Sequence, residues 1–143
     1  MLRLLTLLFL AIFVSCNFQL PGPGLSDFTL PVAGNYIINR TSAHGVSVIP
    51  AQGWTKDASQ IPAKLVEVAW DDRYVLGKQQ HLKKDDPNEV LGQPVSGEYS
   101  YWILDTSVPV AHGPLSLVDF KDKRANLGLS DELQLRDIEE FRP

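Results

Sequence analysis

Histidine, cysteine and acidic side chains are the residues of this sequence that could do chemistry. Their spacing restricts which reactions or metal sites are possible. The three histidines, His44, His81 and His112, lie far apart. None has a second histidine at the spacing by which a helix presents two zinc ligands. We therefore expect them to be surface or turn residues. The sequence predicts no metal site and no cofactor.

Acidic residues occur as close neighbours at two places. Asp71 and Asp72 lie between two β-rich runs, where adjacent carboxylates favour a turn over a glycosidase-like acid pair. Residues 85–89 offer oxygen ligands but lack the alternating positions and the glycine of a calcium loop. No serine stands in a nucleophile-elbow pattern, and no glycine-rich phosphate loop follows a strand. We therefore predict no catalytic residues and no enzyme activity.

The single cysteine, Cys16, ends an apolar segment that follows one cation. Arg3 precedes the run Leu4–Val14, which has the length of a signal-peptide apolar region and falls short of the roughly 20 residues of a spanning helix. After Cys16, the segment Pro21–Gly24 cannot continue a helix. The sequence predicts a signal peptide over residues 1–15.

The segment Phe13–Cys16 resembles the lipobox of bacterial lipoproteins, with phenylalanine where leucine is usual. The resemblance implies that Cys16 receives fatty acyl chains such as palmitate and becomes the first residue of the mature protein. The protein would then be anchored to a membrane of the cell envelope, at the outer membrane or the cell surface. The alternative is an ordinary signal peptide cleaved near Cys16. In a eukaryotic secreted protein, Asn39–Thr41 would be a glycosylation acceptor.

Charge argues against nucleic acid as a partner. The full chain has 13 basic and 17 acidic residues, and removal of residues 1–15 takes away Arg3, which leaves 12 basic residues and a net charge of −5. No basic cluster exceeds the pair Lys83–Lys84. Without a second cysteine, the domain must be stabilised by a hydrophobic core and not by disulfides.

Composition divides the mature chain into a tether and a body. Residues 16–31 are rich in proline and glycine and predict a flexible tether, whereas residues 32–143 have the length of one domain. The alternative is that Leu25, Phe28 and Leu30 dock on the domain as an extended edge segment.

The first part of the domain has the alternation and turn residues of antiparallel strands. The predicted strands are Gly34–Ser42, Val46–Ile49, Lys64–Trp70, Arg73–Lys78 and Tyr99–Asp105. Val66, Val68 and Trp70 are expected to line one face, and Asp71-Asp72 to form a hairpin turn. The polar segment Gln79–Gly97 predicts a long exposed loop, either functional or mobile.

One helix is predicted over residues 116–127, with Ser116 as its N-terminal cap and Gly128 just after its last residue. Its core-facing side chains are predicted to be Leu117, Phe120 and Leu127. Residues 131–141 fit either a second helix or a closing strand, and we favour extended structure. The fold class is therefore α+β, mostly antiparallel sheet with one helix in the C-terminal half.

Parts of the domain resemble a family of small bacterial lipoproteins that carry a domain of unknown function. The similar segments are Ile61–Lys64, Trp70–Tyr74, Tyr101–Asp105 and Gly113–Ser116 with Phe120. The resemblance covers most of residues 32–141 and implies a compact exported domain without catalytic residues.

Residues 99–128 are also similar to GYF-like domains, in which an aromatic surface binds proline-rich peptides. The similarity implies that Tyr99, Tyr101 or Trp102 contacts a partner. The alternative role of these side chains is packing in the core, which we favour.

These features predict a non-catalytic envelope lipoprotein that acts through contact with an unknown envelope or extracellular protein. One alternative is an immunity or exclusion lipoprotein that blocks a toxin or phage factor, for which an acidic surface would suit a basic partner. The other alternative is a small envelope hydrolase.

Overall fold

The computed structural model describes residues 27–143, which form eight strands, one α-helix and one 3₁₀ helix. In chain order these are β1 (Phe28–Pro31), β2 (Tyr36–Arg40), β3 (Val46–Pro50), β4 (Leu65–Trp70), β5 (Tyr74–Lys83), β6 (Gln93–Asp105), β7 (Val110–Leu115), α1 (Leu117–Asn126), β8 (Arg136–Asp137) and the 3₁₀ helix Ile138–Phe141. Cys16, the predicted signal peptide and most of the predicted tether lie outside the described residues. The predicted α+β class with mostly antiparallel sheet is confirmed.

The first three strands form an antiparallel sheet in the order β1-β2-β3. Alternate residues of β2, Tyr36, Ile38 and Arg40, are buried, as their sequence pattern predicts. β1 consists of residues assigned to the tether, and its Phe28 and Leu30 pack against the core. From Phe28 onward the chain is therefore a docked edge strand and not a flexible tether.

The remaining strands form an antiparallel sheet in the order β7-β6-β5-β4-β8. β4 and β5 are joined at Asp71, whose carboxylate accepts hydrogen bonds from the backbone N–H groups of Arg73 (2.8 Å) and Tyr74 (2.7 Å). This short side chain replaces backbone partners within the turn, so the predicted hairpin is confirmed.

The predicted buried face of β4 is only partly right. A bulge lies between Leu65 and Glu67, and a bulge changes which side chains point to a given face. Leu65, Val68 and Trp70 contact the same core cluster, whereas Val66 is half-buried and does not belong to it.

The pairing of β5 with β6 corrects the predicted loop Gln79–Gly97. β5 continues to Lys83 and β6 begins at Gln93, so only residues 84–92 connect them. The outer ends of these strands extend past the core, where their side chains are at most partly buried, and polar residues therefore occupy both faces. Such a strand lacks the alternation from which strands are recognised.

The five-stranded sheet has a hydrophobic core on each face. On one face, Leu104 belongs to the same buried cluster as Ile38 of the three-stranded sheet. On the other face, Ile103 packs with Phe120 of α1. The domain therefore has three layers, with the five-stranded sheet in the middle.

Both predicted ends of the helix are confirmed. The hydroxyl of Ser116 accepts a hydrogen bond from the backbone N–H of Asp119 (3.1 Å), and Gly128 follows the helix with φ 65°. Leu117, however, is 46% exposed and not core-facing. The reason is that Phe120 is the side chain through which α1 is buried against the sheet.

The C-terminal residues 131–141 combine the two structures considered for them. The favoured extended structure is limited to β8, which pairs with β4, and the chain then forms the 3₁₀ helix. Ile138 is buried in the core, and Glu139 Oε1 lies 2.5 Å from Nη1 of Arg40. The end of the chain is thereby tied to the three-stranded sheet.

Candidate functional site

Tyr99, Tyr101 and Trp102 lie on both faces of β6, so the structure does not bring them into one surface. Tyr101 packs on Phe120 with ring centroids 5.1 Å apart, which is the core role favoured for it. Tyr99 is 40% exposed, and the ammonium of Lys78 lies 4.5 Å from its ring centre. Trp102 is on the opposite face, where it contacts the other core cluster and lines an open cleft.

This cleft has a volume of about 680 Å³ and lies beside the outer half of the β5–β6 pair. Its apolar wall consists of Pro62, Leu82, Val95, Trp102 and Pro114. Its other lining residues are polar or charged. A concave apolar wall with a few converging polar groups is typical of ligand sites.

Trp102 is a fixed part of that wall. Its indole N–H donates to the side-chain oxygen of Gln79 (2.7 Å), and the Gln79 amide donates to the carbonyl oxygen of Ala63 (2.6 Å). Gly113 of β7 lies directly against the indole ring, where any β-carbon would overlap it. Together these contacts determine the orientation of the indole.

His81, Ser100 and Glu98 meet at the cleft. His81 Nε2 lies 2.6 Å from Ser100 Oγ, and His81 Nδ1 lies 3.5 Å from Glu98 Oε2. Ser100 is 8% exposed, whereas the side chains of His81 and Glu98 are 43% and 60% exposed. With the ring proton on Nδ1, His81 directs that proton toward the carboxylate, and its Nε2 accepts a hydrogen bond from the serine hydroxyl.

A bulge in the β5–β6 pair produces this arrangement. Between two regular stretches of pairing, His81 of β5 stands alone opposite residues 95–98 of β6. Gly97 within that segment has φ 76°, which glycine adopts without a β-carbon clash. Bulges re-aim side chains, and this one brings Glu98 beside His81.

The sequence patterns did not predict this cluster. The sequence predicts His81 to be a surface or turn residue in the loop 79–97, and Ser100 lies 19 positions further along the chain. Cross-strand register is the signal that joins the two residues. That register depends on a bulge, which leaves little trace in the sequence beyond Gly97.

A second polar cluster lies at the other end of the same strand pair. Asp105, 4% exposed, accepts hydrogen bonds from Nε and Nη2 of Arg73 (3.0 and 2.6 Å) and from the backbone N–H and hydroxyl of Ser107 (3.0 and 2.7 Å). The Arg73 hydrogen bond, followed by those of Ser107, holds the pKa of Asp105 well below its usual range. We assign this carboxylate a structural role because its acceptor positions are occupied.

The other residues considered for chemistry are not brought together. His44 lies in the turn between β2 and β3, and His112 lies on β7, where burial lowers its pKa. The carboxylate of Asp86 accepts hydrogen bonds from the backbone and the side chain of Asn88. Within residues 27–143, no three or more histidine, cysteine or acidic side chains form a group that could hold a metal ion.

Fold and cleft together define a three-layer α+β domain with an open side cleft of mixed polarity. A family model described as protein of unknown function (DUF3997) matches residues 33–139, and the chain belongs to this family. The expected resemblance to a domain of unknown function is thereby confirmed, whereas the GYF-like similarity finds no support.

Comparisons with curated proteins and with solved structures gave no match. Neither helix in residues 27–143 combines the length and the apolar content needed to cross a membrane.

Proposed function

We propose that this protein is a membrane-anchored envelope lipoprotein that acts through contact with another envelope or extracellular protein. The anchor is supported by the order of Arg3, the apolar run Leu4–Val14 and Cys16. β1 begins at Phe28, and residues 17–27 can reach at most about 40 Å. A lipid on Cys16 would therefore keep the domain near the membrane surface.

The cleft is the observation that carries the proposed contact. Trp102 stays partly exposed there in a fixed orientation, and tryptophan is among the side chains that most often dominate the binding energy of an interface. Lys83 and Glu98 supply charges of both signs along the same cleft. An apolar partner side chain would be buried against Trp102, and its polar neighbours would pair with these charges.

Metabolic labelling with a fatty-acid analogue tests the anchor. We expect the wild-type chain to acquire the label and Cys16→Ser to lack it, because no other cysteine can form the thioether. Production of both chains in equal amount is the control. A labelled Cys16→Ser variant would contradict the lipid anchor.

Site-specific photo-crosslinking in intact cells tests the contact. A photoreactive residue at Leu82 lies in the cleft, and the matched control lies at Val118, which is 68% exposed on α1 beyond the opposite face of the sheet. We expect one discrete adduct from position 82 and none from position 118. Equal adducts from both positions, or none from position 82, would contradict contact at the cleft. A toxin or phage factor as the captured partner would favour the immunity or exclusion alternative.

A further inference from the structure

We propose that Ser100 is a nucleophile activated by His81 and Glu98, and that the cleft accepts small carboxylic esters. This activity goes beyond the contact function and does not depend on it. The three side chains are connected in the atom order of a serine–histidine–acid triad, with the hydroxyl at Nε2 and the carboxylate at Nδ1. Triads are defined by this geometry and not by sequence position.

The two distances fit a site without substrate. At 2.6 Å, the hydroxyl of Ser100 is within reach for direct proton transfer to His81 Nε2. The 3.5 Å between Nδ1 and Glu98 Oε2 is long, but catalytic hydrogen bonds often shorten when substrate binds and excludes water. Because Glu98 is 60% exposed, its carboxylate can approach Nδ1 without displacing packed neighbours.

Ser100 and His81 differ in how firmly the fold holds them and in how exposed they are. Ser100 is paired with Gln79 in the regular part of the β5–β6 ladder, which holds its backbone in place. It is also the most buried of the three, so its hydroxyl lies at the base of the cleft. His81 is 43% exposed, so it can exchange protons with a leaving group and with water on the solvent side.

The lining of the cleft determines the substrate class. Pro62, Trp102 and Pro114 form an apolar surface that suits the uncharged acyl group of an ester. Lys83 lines the same cleft, and in this proposal its ammonium is the cation that would face the negative charge developing on the attacked carbonyl oxygen. A small neutral ester matches both features.

The reaction is an acyl transfer to water in two steps. Ser100 Oγ bonds to the ester carbonyl carbon while its proton moves to His81 Nε2; the C–O bond to the alcohol then breaks, and the alcohol leaves with that proton. Water attacks the acyl-serine, gives a proton to His81 and releases the carboxylic acid. The proton on His81 returns to Ser100 Oγ, so the protein ends unchanged.

A fluorophosphonate probe tests the nucleophile, because it forms a stable adduct with an activated serine and releases fluoride. The full chain is purified in detergent, labelled, and mapped by mass spectrometry of its peptides. We expect one adduct on Ser100, none in Ser100→Ala, and a labelling rate in His81→Ala lower by about 100-fold or more. The control is Ser130→Ala, which removes an exposed serine that follows α1 and does not line the cleft, and it leaves labelling unchanged.

Circular dichroism distinguishes a loss of folding from a loss of activation, and ester hydrolysis measures turnover. Circular dichroism of each variant confirms the fold, and His81→Gln retains a polar side chain in the bulge if His81→Ala unfolds. Hydrolysis of 4-nitrophenyl acetate must fall to background in Ser100→Ala, and Glu98→Gln must label at a rate between wild type and the His81 variants. Absence of an adduct on Ser100, equal labelling of the wild type and a folded His81 variant, or ester hydrolysis no faster than Ser100→Ala would overturn the proposal.

Discussion

The paired strands β5 and β6 carry a polar cluster at each end, and the two clusters differ in how fully their hydrogen bonds are satisfied. At the inner end, Asp105 is buried and receives four hydrogen bonds from Arg73 and Ser107. At the outer end, His81 bridges Ser100 and Glu98 beside an open cleft, and its two contacts differ in length by almost an ångström.

This difference gives the inner cluster a structural role and the outer cluster a chemical one. A carboxylate whose lone pairs are occupied by fixed donors cannot accept a proton or bind a ligand without losing those bonds, and it therefore stabilises the fold. A histidine that is partly exposed and incompletely bonded retains the capacity to move protons. Substitutions at the inner cluster are thus expected to affect folding, and substitutions at the outer cluster reactivity.

The largest stability effect is expected at the inner cluster. Asp105→Asn places an amide against the guanidinium of Arg73, so we expect the free energy of unfolding to fall by about 2 kcal/mol, as measured by urea denaturation. Asp72→Asn is the matched control, because Asp72 is exposed in the neighbouring turn and its substitution is expected to change stability by less than about 0.5 kcal/mol. Equal effects of the two substitutions would contradict the structural role assigned to Asp105.

Low pH is expected to weaken the same cluster, because it protonates Asp105. The folded-state pKa of Asp105 is depressed, so its contribution is fully present above the ordinary carboxyl pKa of about 3.9 and is lost as pH falls toward the folded value. The stability difference between wild type and Asp105→Asn is therefore expected to shrink below about pH 4. Urea denaturation of both chains at pH 7, 4 and 3 measures it. A difference that stays constant down to pH 3 would show that the ion pair does not cause it.

The apolar wall of the cleft lies between the two clusters, and a single added methyl group is expected to destabilise it. Gly113→Ala adds a β-carbon that overlaps the indole of Trp102, and overpacking of this kind costs about 1.5 kcal/mol. Displacement of the ring would break its hydrogen bond to Gln79 and alter tryptophan fluorescence. Gly53→Ala is the comparison without overpacking. Its φ is 108°, but an added β-carbon would meet nothing within 4 Å. An unshifted emission in Gly113→Ala would show that Trp102 is not held as described.

Local signals in the sequence were sufficient for the β4–β5 turn and for the two ends of α1. Asp71 predicted its turn because a short acidic side chain can bond the backbone two and three residues ahead. Ser116 and Gly128 predicted the ends of α1 because each satisfies a specific requirement of helix termini. Such features depend on neighbours in the sequence and need no knowledge of the tertiary structure.

The outer half of the hairpin and the cluster it carries could not be predicted in this way. Residues 79–83 and 93–97 are strand although their composition is polar, because pairing resumes beyond the bulge, where Leu82 and Lys83 face Pro94 and Gln93. The meeting of His81 with Ser100 and Glu98 depends on cross-strand register and on a bulge. Both are long-range properties, and the only local indication is the glycine at position 97.

The smallest stability effect is expected at the outer cluster. Ser100→Ala removes one hydrogen bond to His81, a side chain that water can reach, so we expect a loss of about 0.5 kcal/mol in the free energy of unfolding.

Ser107→Ala is the matched substitution at the inner end, where the hydroxyl of Ser107 donates to buried Asp105 at 2.7 Å, and about 1.5 kcal/mol is expected there because the acceptor is charged. Urea denaturation of the two variants side by side measures the contrast. If Ser100→Ala costs as much as Ser107→Ala, the outer hydrogen bond contributes to folding as the inner one does, and the division between the two ends of the strand pair fails. If the ranking holds while only Ser100→Ala loses fluorophosphonate labelling, stability and reactivity are separated on one pair of strands.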